Sequence, residues 1–377
     1  MAIKMKTKEN ALERGELPIY NCHIHTFTNQ HVPRYFPKMV MGPVFGVLVS
    51  ELLRWKPLAK VLIPVLKKFI PSSDRDMFER YARFLEAGMK PSQSDVFKGI
   101  ENQYPRGKTQ FIALAVDMTY MKLGTLEKSI REQHDELLNF SKTDAGKSII
   151  PFYAADPRWG DIVQRVKDNV GEGKYQGVKI YPPMGYMPDD ERLLEVYKIC
   201  VERNLPVMAH CSPYGVYQYG LSFEEQVKFT HPDNYKRIYA HRELKELRIC
   251  LAHFGGEQEW ERHLKSRDDI EQNPAWVKVI ADMIRSEEYP NLYTDISYMA
   301  FSPRRRGLYI DLYDYLNVLL QNKLIRTHVL FGSDYYMAEI EGISEKEVSI
   351  ALRSRLGEEL YFQIAYHNPR KFLGIEK

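Results

Sequence analysis

From residue 110 onward, short apolar runs alternate with longer stretches of helical periodicity, and that beat leaves few architectures open. Residues 110–117, 148–155, 177–181, 205–210, 247–253, 292–295 and 328–331 read as strands. Between them, 125–140, 161–170, 189–203, about 235–246, 274–285 and about 310–322 read as helices. An eighth strand precedes the series, where 17–20 leads into Asn21-Cys22-His23-Ile24-His25. Continuous apolar runs, as opposed to alternating ones, mark strands buried on both faces, so the sheet is parallel and covered by helices. Eight such units predict a closed (β/α)8 TIM barrel in preference to an open sheet. No Gly-x-Gly-x-x-Gly follows the first strand, so a dinucleotide-binding sheet lacks its phosphate loop.

The 377 residues fit one barrel spanning 1–377 with an insertion after strand 1. That insertion, 32–107, reads as helical and carries two apolar stretches, 39–50 and 58–70. Twelve uncharged residues interrupted by Pro43 are too few to span a bilayer, which takes about 20. The insertion suits a lid, a homodimer contact, a membrane-surface patch or a helical hairpin packed on its own barrel. A net charge of +3 argues against a nucleic-acid binder that relies on a strong basic field. The charged first fifteen residues lack the apolar core of a signal peptide. Cys22, Cys200, Cys211 and Cys250 show no C-x-x-C pairing, and we read them as reduced thiols of a cytoplasmic protein.

In a β/α barrel, reactive side chains come from the C-terminal strand ends. Strand 1 ends in His23 and His25, strand 5 in His210, strand 6 in His253 and strand 7 in Asp295, while strand 8 runs into Gly332-Ser333-Asp334. Side chains at i and i+2 of a strand share a face, with Cα atoms about 6.5 Å apart at a rise of about 3.3 Å per residue. Two imidazoles so placed can converge on one metal, although His-x-His alone is equally a pair of polar strand-end residues. Four of the eleven histidines fall where a barrel aims them at one point, and this pattern favours a metal site.

Lys179 shares a strand face with Tyr181, and both are expected to point into the barrel mouth. A buried ammonium needs a partner. Four are open to Lys179: a carboxylate such as Asp156 or Asp295, an anionic substrate, carbamylation into a ligand bridging two metals, or a plain structural salt bridge. Arg158, after strand 3, suits either a clamp on a substrate carboxylate or a loop ion pair. His231, His241 and the thiol of Cys211 read as structural, and Arg304 to Arg306 as a basic loop.

The ordered set N-C-H-I-H at 21–25, A-D-P-R at 155–158, G-V-K-I-Y-P-P at 177–183, P-V-M-A-H-C at 206–211, L-A-H-F-G-G at 251–256, Y-T-D-I-S at 293–297, F-G-S-D at 331–334 and N-P-R-K-F-L-G at 368–374 resembles the amidohydrolase superfamily, within it the amidohydrolase-related group. The resemblance implies a distorted (β/α)8 barrel holding a divalent metal, commonly zinc. It carries His23, His25, His210 and Asp334 over as ligands of one metal per chain, and His253 as a catalytic or neighbouring histidine. It also implies a small-molecule substrate. A metal-dependent hydrolase of an amide, lactone or ester is the first expectation, with Asp334, His253 and Lys179 as catalytic groups and Arg158 and Tyr181 as substrate-binding ones. The group also contains non-oxidative decarboxylases of aromatic or muconate-type acids, so fold alone does not select the reaction. A third reading is a non-catalytic barrel whose insertion binds a partner or a membrane surface.

Overall fold

Eight strands follow one another in chain order around a single sheet, each parallel to the next: β1 (Ile19–Ile24), β2 (Thr109–Leu114), β3 (Ile149–Ala154), β4 (Val178–Ile180), β5 (Val207–Ala209), β6 (Ile249–Leu251), β7 (Leu292–Asp295) and β8 (Val329–Leu330). The computed structural model describes residues 18–53, 83, 86–105, 107–265, 273–299, 306–337 and 344–376. The ring closes where the chain beyond β8 meets β1. Cys22 N–H donates to Phe331 O and Asp334 N–H to His23 O, each at 2.8 Å, and Ile24 bridges Tyr335. The fold is the (β/α)8 barrel that the alternating pattern predicts.

The strands are dense in Ile, Val, Phe and Tyr, and every residue of β1 and β3 is buried, as a sheet covered on its outer face requires. The outer helices present one apolar stripe each. In Glu191–Glu202 it consists of Leu193, Val196, Tyr197 and Cys200, the i, i+3, i+4, i+7 pattern of a helix packed on a sheet. Capping boxes start three of the helices, at Ser129 with Glu132, Ser222 with Glu225 and Ser344 with Glu347.

Several connections differ from the sequence reading. The stretch after β5, expected to be irregular as far as about residue 235, contains the helix Phe223–Thr230. The helix expected over 235–246 is Asn234–Ala240, ended by extended backbone at His241. Helices Glu257–Lys265 and Lys323–His328 also lie in connections, so His328 closes a helix and does not open β8. The helix Glu345–Phe362 was not anticipated, whereas Asn368–Phe372 falls in the expected closing motif. Within 32–107 the described parts include helices Lys38–Met41, Pro43–Leu53 and Gln93–Glu101. The apolar stretch 58–70 lies outside the described residues, as do Arg304 and Arg305. Among the described residues no helix is long and apolar enough to cross a membrane.

Candidate metal centre

Asn21 and His23 lie in β1 and His25 directly follows it, past an irregularity of register between Asn21 and Ile24, and each of the three is buried. Barrel closure brings Asp334 to them. Its left-handed backbone (φ 63°) follows from the N–H bond to His23 O at the β1–β8 seam. Gly332 makes that approach feasible, because a Cβ there would lie 2.8 Å from the His23 Cβ. Asn21 ties the seam together: its Nδ2 donates to Ser333 Oγ at 2.8 Å, and its Oδ1 accepts the Ser333 N–H at 3.1 Å.

The tautomers follow from the acceptors around each ring. His23 Nδ1 lies 2.8 Å from Asp295 Oδ2, so it carries the proton and leaves Nε2 with a lone pair. His25 Nδ1 donates to Leu114 O at 2.9 Å, so in the neutral ring its Nε2 presents a lone pair as well. Both lone pairs face Asp334 Oδ1, at 3.5 Å from His23 Nε2 and 3.2 Å from His25 Nε2. Burial, reinforced by the nearby charge of Lys179, pushes His23 down to about 3, so it is neutral at physiological pH. Burial works against the Asp334 charge, while a hydrogen bond from His25 and the field of His23 lower its carboxyl below the usual range, so this contact calls for a proton or a cation at its centre. Without that proton three acceptors converge, and His23 Nε2 has no hydrogen-bond partner. Buried acceptors in mutual contact are unfavourable without a cation between them. His23, His25 and Asp334 thus fit a divalent metal, and their ligand atoms all lie within 4.8 Å of one another.

A second group of the same compactness joins His23, His253 and Asp295. Asp295 is its hub. The carboxylate accepts from His23 Nδ1, from His253 N–H at 2.9 Å, from Ser297 N–H at 3.0 Å and from the Ser297 hydroxyl. Burial opposes its charge, but these donors hold its carboxyl well below the ordinary range. His253 has a left-handed backbone (φ 67°), and its Nε2 lies 3.1 Å from His210 Nδ1.

His210 lies outside both compact groups. Its Nε2 is 2.9 Å from Tyr214 O, its ring packs 4.6 Å from that of Tyr181, and Gly215 leaves room for both, since a Cβ there would meet Tyr181 Oη at 3.0 Å. Tyr181 Oη accepts the Val216 N–H, which fixes the same loop over the site. Arg158 is engaged throughout: it pairs with both oxygens of Asp156, donates to Met184 O and Gln218 Oε1, and lies 4.0 Å above the Tyr120 ring. The contacts include the loop ion pair, one of its two sequence readings.

Lys179 is 1% exposed, and its Nζ has no hydrogen-bond partner. Of the two carboxylates named for it, Asp156 is taken by Arg158, while Asp295 acts on it through its field, as does Asp334, which was not named. Burial brings Lys179 down to about 8, against the upward pull of Asp295 and Asp334. The unfolded chain keeps this proton up to about 10.5, so between the two values unfolding takes up protons and stability rises with pH. Lys179→Met is expected to stabilise the fold by about 2–4 kcal/mol below pH 8, the gain vanishing toward pH 10.5. Urea unfolding of both proteins across that range checks the sign.

Asp295 was legible as a strand end and as a candidate partner of Lys179, though not as the hub of the site, and Asn21, Ser297 and Asp117 were not singled out. The Asp-x-Ser spacing at 295–297, whose hydroxyl bonds the carboxylate two residues back, was the available signal for Ser297.

No curated protein matches the sequence. Among solved structures, the fold is similar to an amidohydrolase from Burkholderia multivorans with bound zinc (TM-score 0.55, 13% identity, 95% of this chain and 99% of that one). It is also similar to 5-carboxyvanillate decarboxylase from Novosphingobium aromaticivorans complexed with manganese (0.54, 13%, 96% and 97%). A third similar structure is a probable 2-pyrone-4,6-dicarboxylic acid hydrolase from Acinetobacter baumannii with citric acid bound (0.53, 10%, 95% and 100%). At these identities the likeness speaks for the fold. Residues 119–375 match the family model described as Amidohydrolase, and with more than half of the chain covered, the protein belongs to the amidohydrolase-related family.

Proposed function

We infer that the protein is a metal-dependent hydrolase acting on an amide, lactone or ester of a small anionic molecule. The observation that carries this reading is the convergence of His23 Nε2, His25 Nε2 and Asp334 Oδ1 as buried acceptors. These three residues would hold the ion, with His210 as a fourth ligand once its Nε2 leaves Tyr214 O. Nitrogen and carboxylate donors suit zinc, one per chain, and carbamylation of Lys179 would add a second. A divalent ion there supplies Lewis acidity to an oxygen of water or substrate.

The chain's own groups do the remaining work. Asp334, ionised and central, takes the proton of the attacking water and returns it to the leaving group. Asp295 holds His23 in the tautomer that turns Nε2 inward. Lys179, with no hydrogen-bond partner, donates to the anionic group of the substrate or to the oxyanion that develops. Tyr181 lines the mouth beside His210, and Arg158 buttresses the rim through Asp156. The free, buried cysteines and the motifs are consistent with a reduced, cytoplasmic setting, and the insertion suits a homodimer contact.

The spare ammonium of Lys179 also favours a second reading, non-oxidative decarboxylation, because it suits a substrate carboxylate next to the metal. Turnover of lactones, esters, amides and aromatic acids in ¹⁸O-labelled water separates the two. One labelled oxygen per turnover, carried by the acid product, marks hydrolysis, whereas carbon dioxide release with no label in the organic product marks decarboxylation. Inactivity of fully metal-loaded protein on every class would favour the non-catalytic barrel. Asp334→Asn is expected to lower turnover by about 10²–10⁴-fold with the fold retained. Unchanged turnover in metal-loaded Asp334→Asn would remove Asp334 from its role.

A further inference from the structure

Asn21, fully buried and two residues before His23, uses every hydrogen-bonding position of its amide. Besides its two bonds to Ser333, its Nδ2 donates to Tyr104 Oη and its Oδ1 accepts the His23 N–H, each at 3.3 Å. Tyr104 Oη in turn donates to Glu345 Oε2 at 2.9 Å, and Glu345, Tyr104, Asn21 and Ser333 are all buried. Burial, and after it the charge of Glu345, pushes the Tyr104 hydroxyl well above its ordinary range, so it keeps its proton. A hydroxyl that gives its one proton to a carboxylate can only accept from the amide. The direction of each bond from Glu345 through to Ser333 is thereby set.

Two remote parts of the chain supply this support. Tyr104 ends the stretch inserted after β1, and Glu345 opens the helix Glu345–Phe362. They are tied to each other and to the seam: Glu345 N–H donates to Gln103 Oε1 at 2.8 Å, and Tyr335 Oη donates at 3.3 Å to Val96 O in the helix Gln93–Glu101. Without Tyr104 Oη, a buried amide proton of Asn21 has no acceptor, and the amide relaxes by tilting away from the Ser333 N–H. Asp334 is the next residue. We propose that Tyr104 and Glu345 are positioning residues that act through Asn21 to hold the Ser333–Asp334 segment where Asp334 faces His23 and His25. The inference rests on the reading of Asp334 as a metal ligand, and it gives the inserted stretch a part in building the centre.

Two readouts on the full chain test it: hydrogen exchange over residues 331–335 in chelated protein, and zinc affinity by competition with a chromophoric chelator. Tyr104→Phe keeps the ring, which packs 5.4 Å from that of Phe111, and removes only the hydroxyl. Glu345→Ala cuts the same chain of bonds at its other end, so either variant carries the test if the other fails to fold. Each is expected to speed exchange over 331–335 selectively, by about tenfold, and to weaken zinc binding by about tenfold. Because both break one chain, the double variant is expected to bind zinc within about twofold of the worse single variant. Leu193→Ala, a loss of core packing between β4 and β5 across the ring, is expected to lower the melting temperature with neither effect. Unchanged exchange over 331–335, acceleration spread evenly over the barrel, unaltered zinc affinity, additive zinc losses in the double variant, or an equal zinc loss in Leu193→Ala would each overturn the positioning role. If the unsubstituted chain binds no zinc, the metal-dependent reading falls, and the exchange measurement still decides whether Tyr104 and Glu345 hold the segment.

Discussion

Purified His23→Ala/His25→Ala protein is expected to contain no divalent metal, where the unsubstituted chain carries about one ion per barrel. The expectation follows from two facing lone pairs. Leu114 O and Asp295 take the Nδ1 protons of the two imidazoles, so in the neutral rings both Nε2 atoms point at Asp334 as acceptors. A cation relieves that contact, and ligand binding to the folded state alone raises its stability. At free metal one hundred times Kd, the gain is about 2.7 kcal/mol. Chelation should therefore lower the melting temperature of the unsubstituted protein and leave that of the double variant unmoved. Elemental analysis together with melting curves with and without chelator reads both effects. Equal metal in the two proteins would place the ion elsewhere, and about two ions per chain would bring Lys179 into the ligand set.

Asp295→Ala is expected to be the most destabilising single substitution at the site, at about 3–5 kcal/mol. The carboxylate is fully buried and accepts from His23, from the His253 and Ser297 backbones and from the Ser297 hydroxyl. Its removal strands those donors where water cannot replace it, and each stranded group costs about 1–3 kcal/mol. Asp295→Asn keeps the shape but cannot accept at both oxygens, which frees His23 to move its proton to Nε2 and lose the inward lone pair. It is expected to weaken metal binding by about 10–100-fold at a smaller stability cost. Urea unfolding and competition against a chromophoric chelator measure the two quantities separately. Full stability of Asp295→Ala would mean that these donors find other acceptors.

The division between what could be read in the chain and what could not follows the range of the forces involved. Strand periodicity is local, so all eight strands were legible, as was the convergence of His23 and His25. Strand-end logic put Asp334 in the same mouth, and the barrel brings the three together. The helix Phe223–Thr230 was missed although its Ser222 and Glu225 capping box stands in the sequence, because no strong apolar stripe accompanies it. What decides the state of the histidines was not legible. Leu114 O and Tyr214 O are backbone acceptors with no residue-type signature, and they direct His25 and His210 differently. Asp117 resembled any acid at a strand end, and only packing shows that one of its oxygens lacks a partner.

The seam between β1 and β8 also bears on how the protein is made. Asn21 and Ser333, 312 residues apart, bond each other, and Asp334 reaches His23 only through the same seam. A ribosome emits the two histidines well before the carboxylate. A nascent chain therefore carries an incomplete chelate while β2 to β8 are made, and the full set of ligands would come together in one step when β8 docks. Metal capture at this site would then report completion of the ring and favour chains that have closed over those that have not.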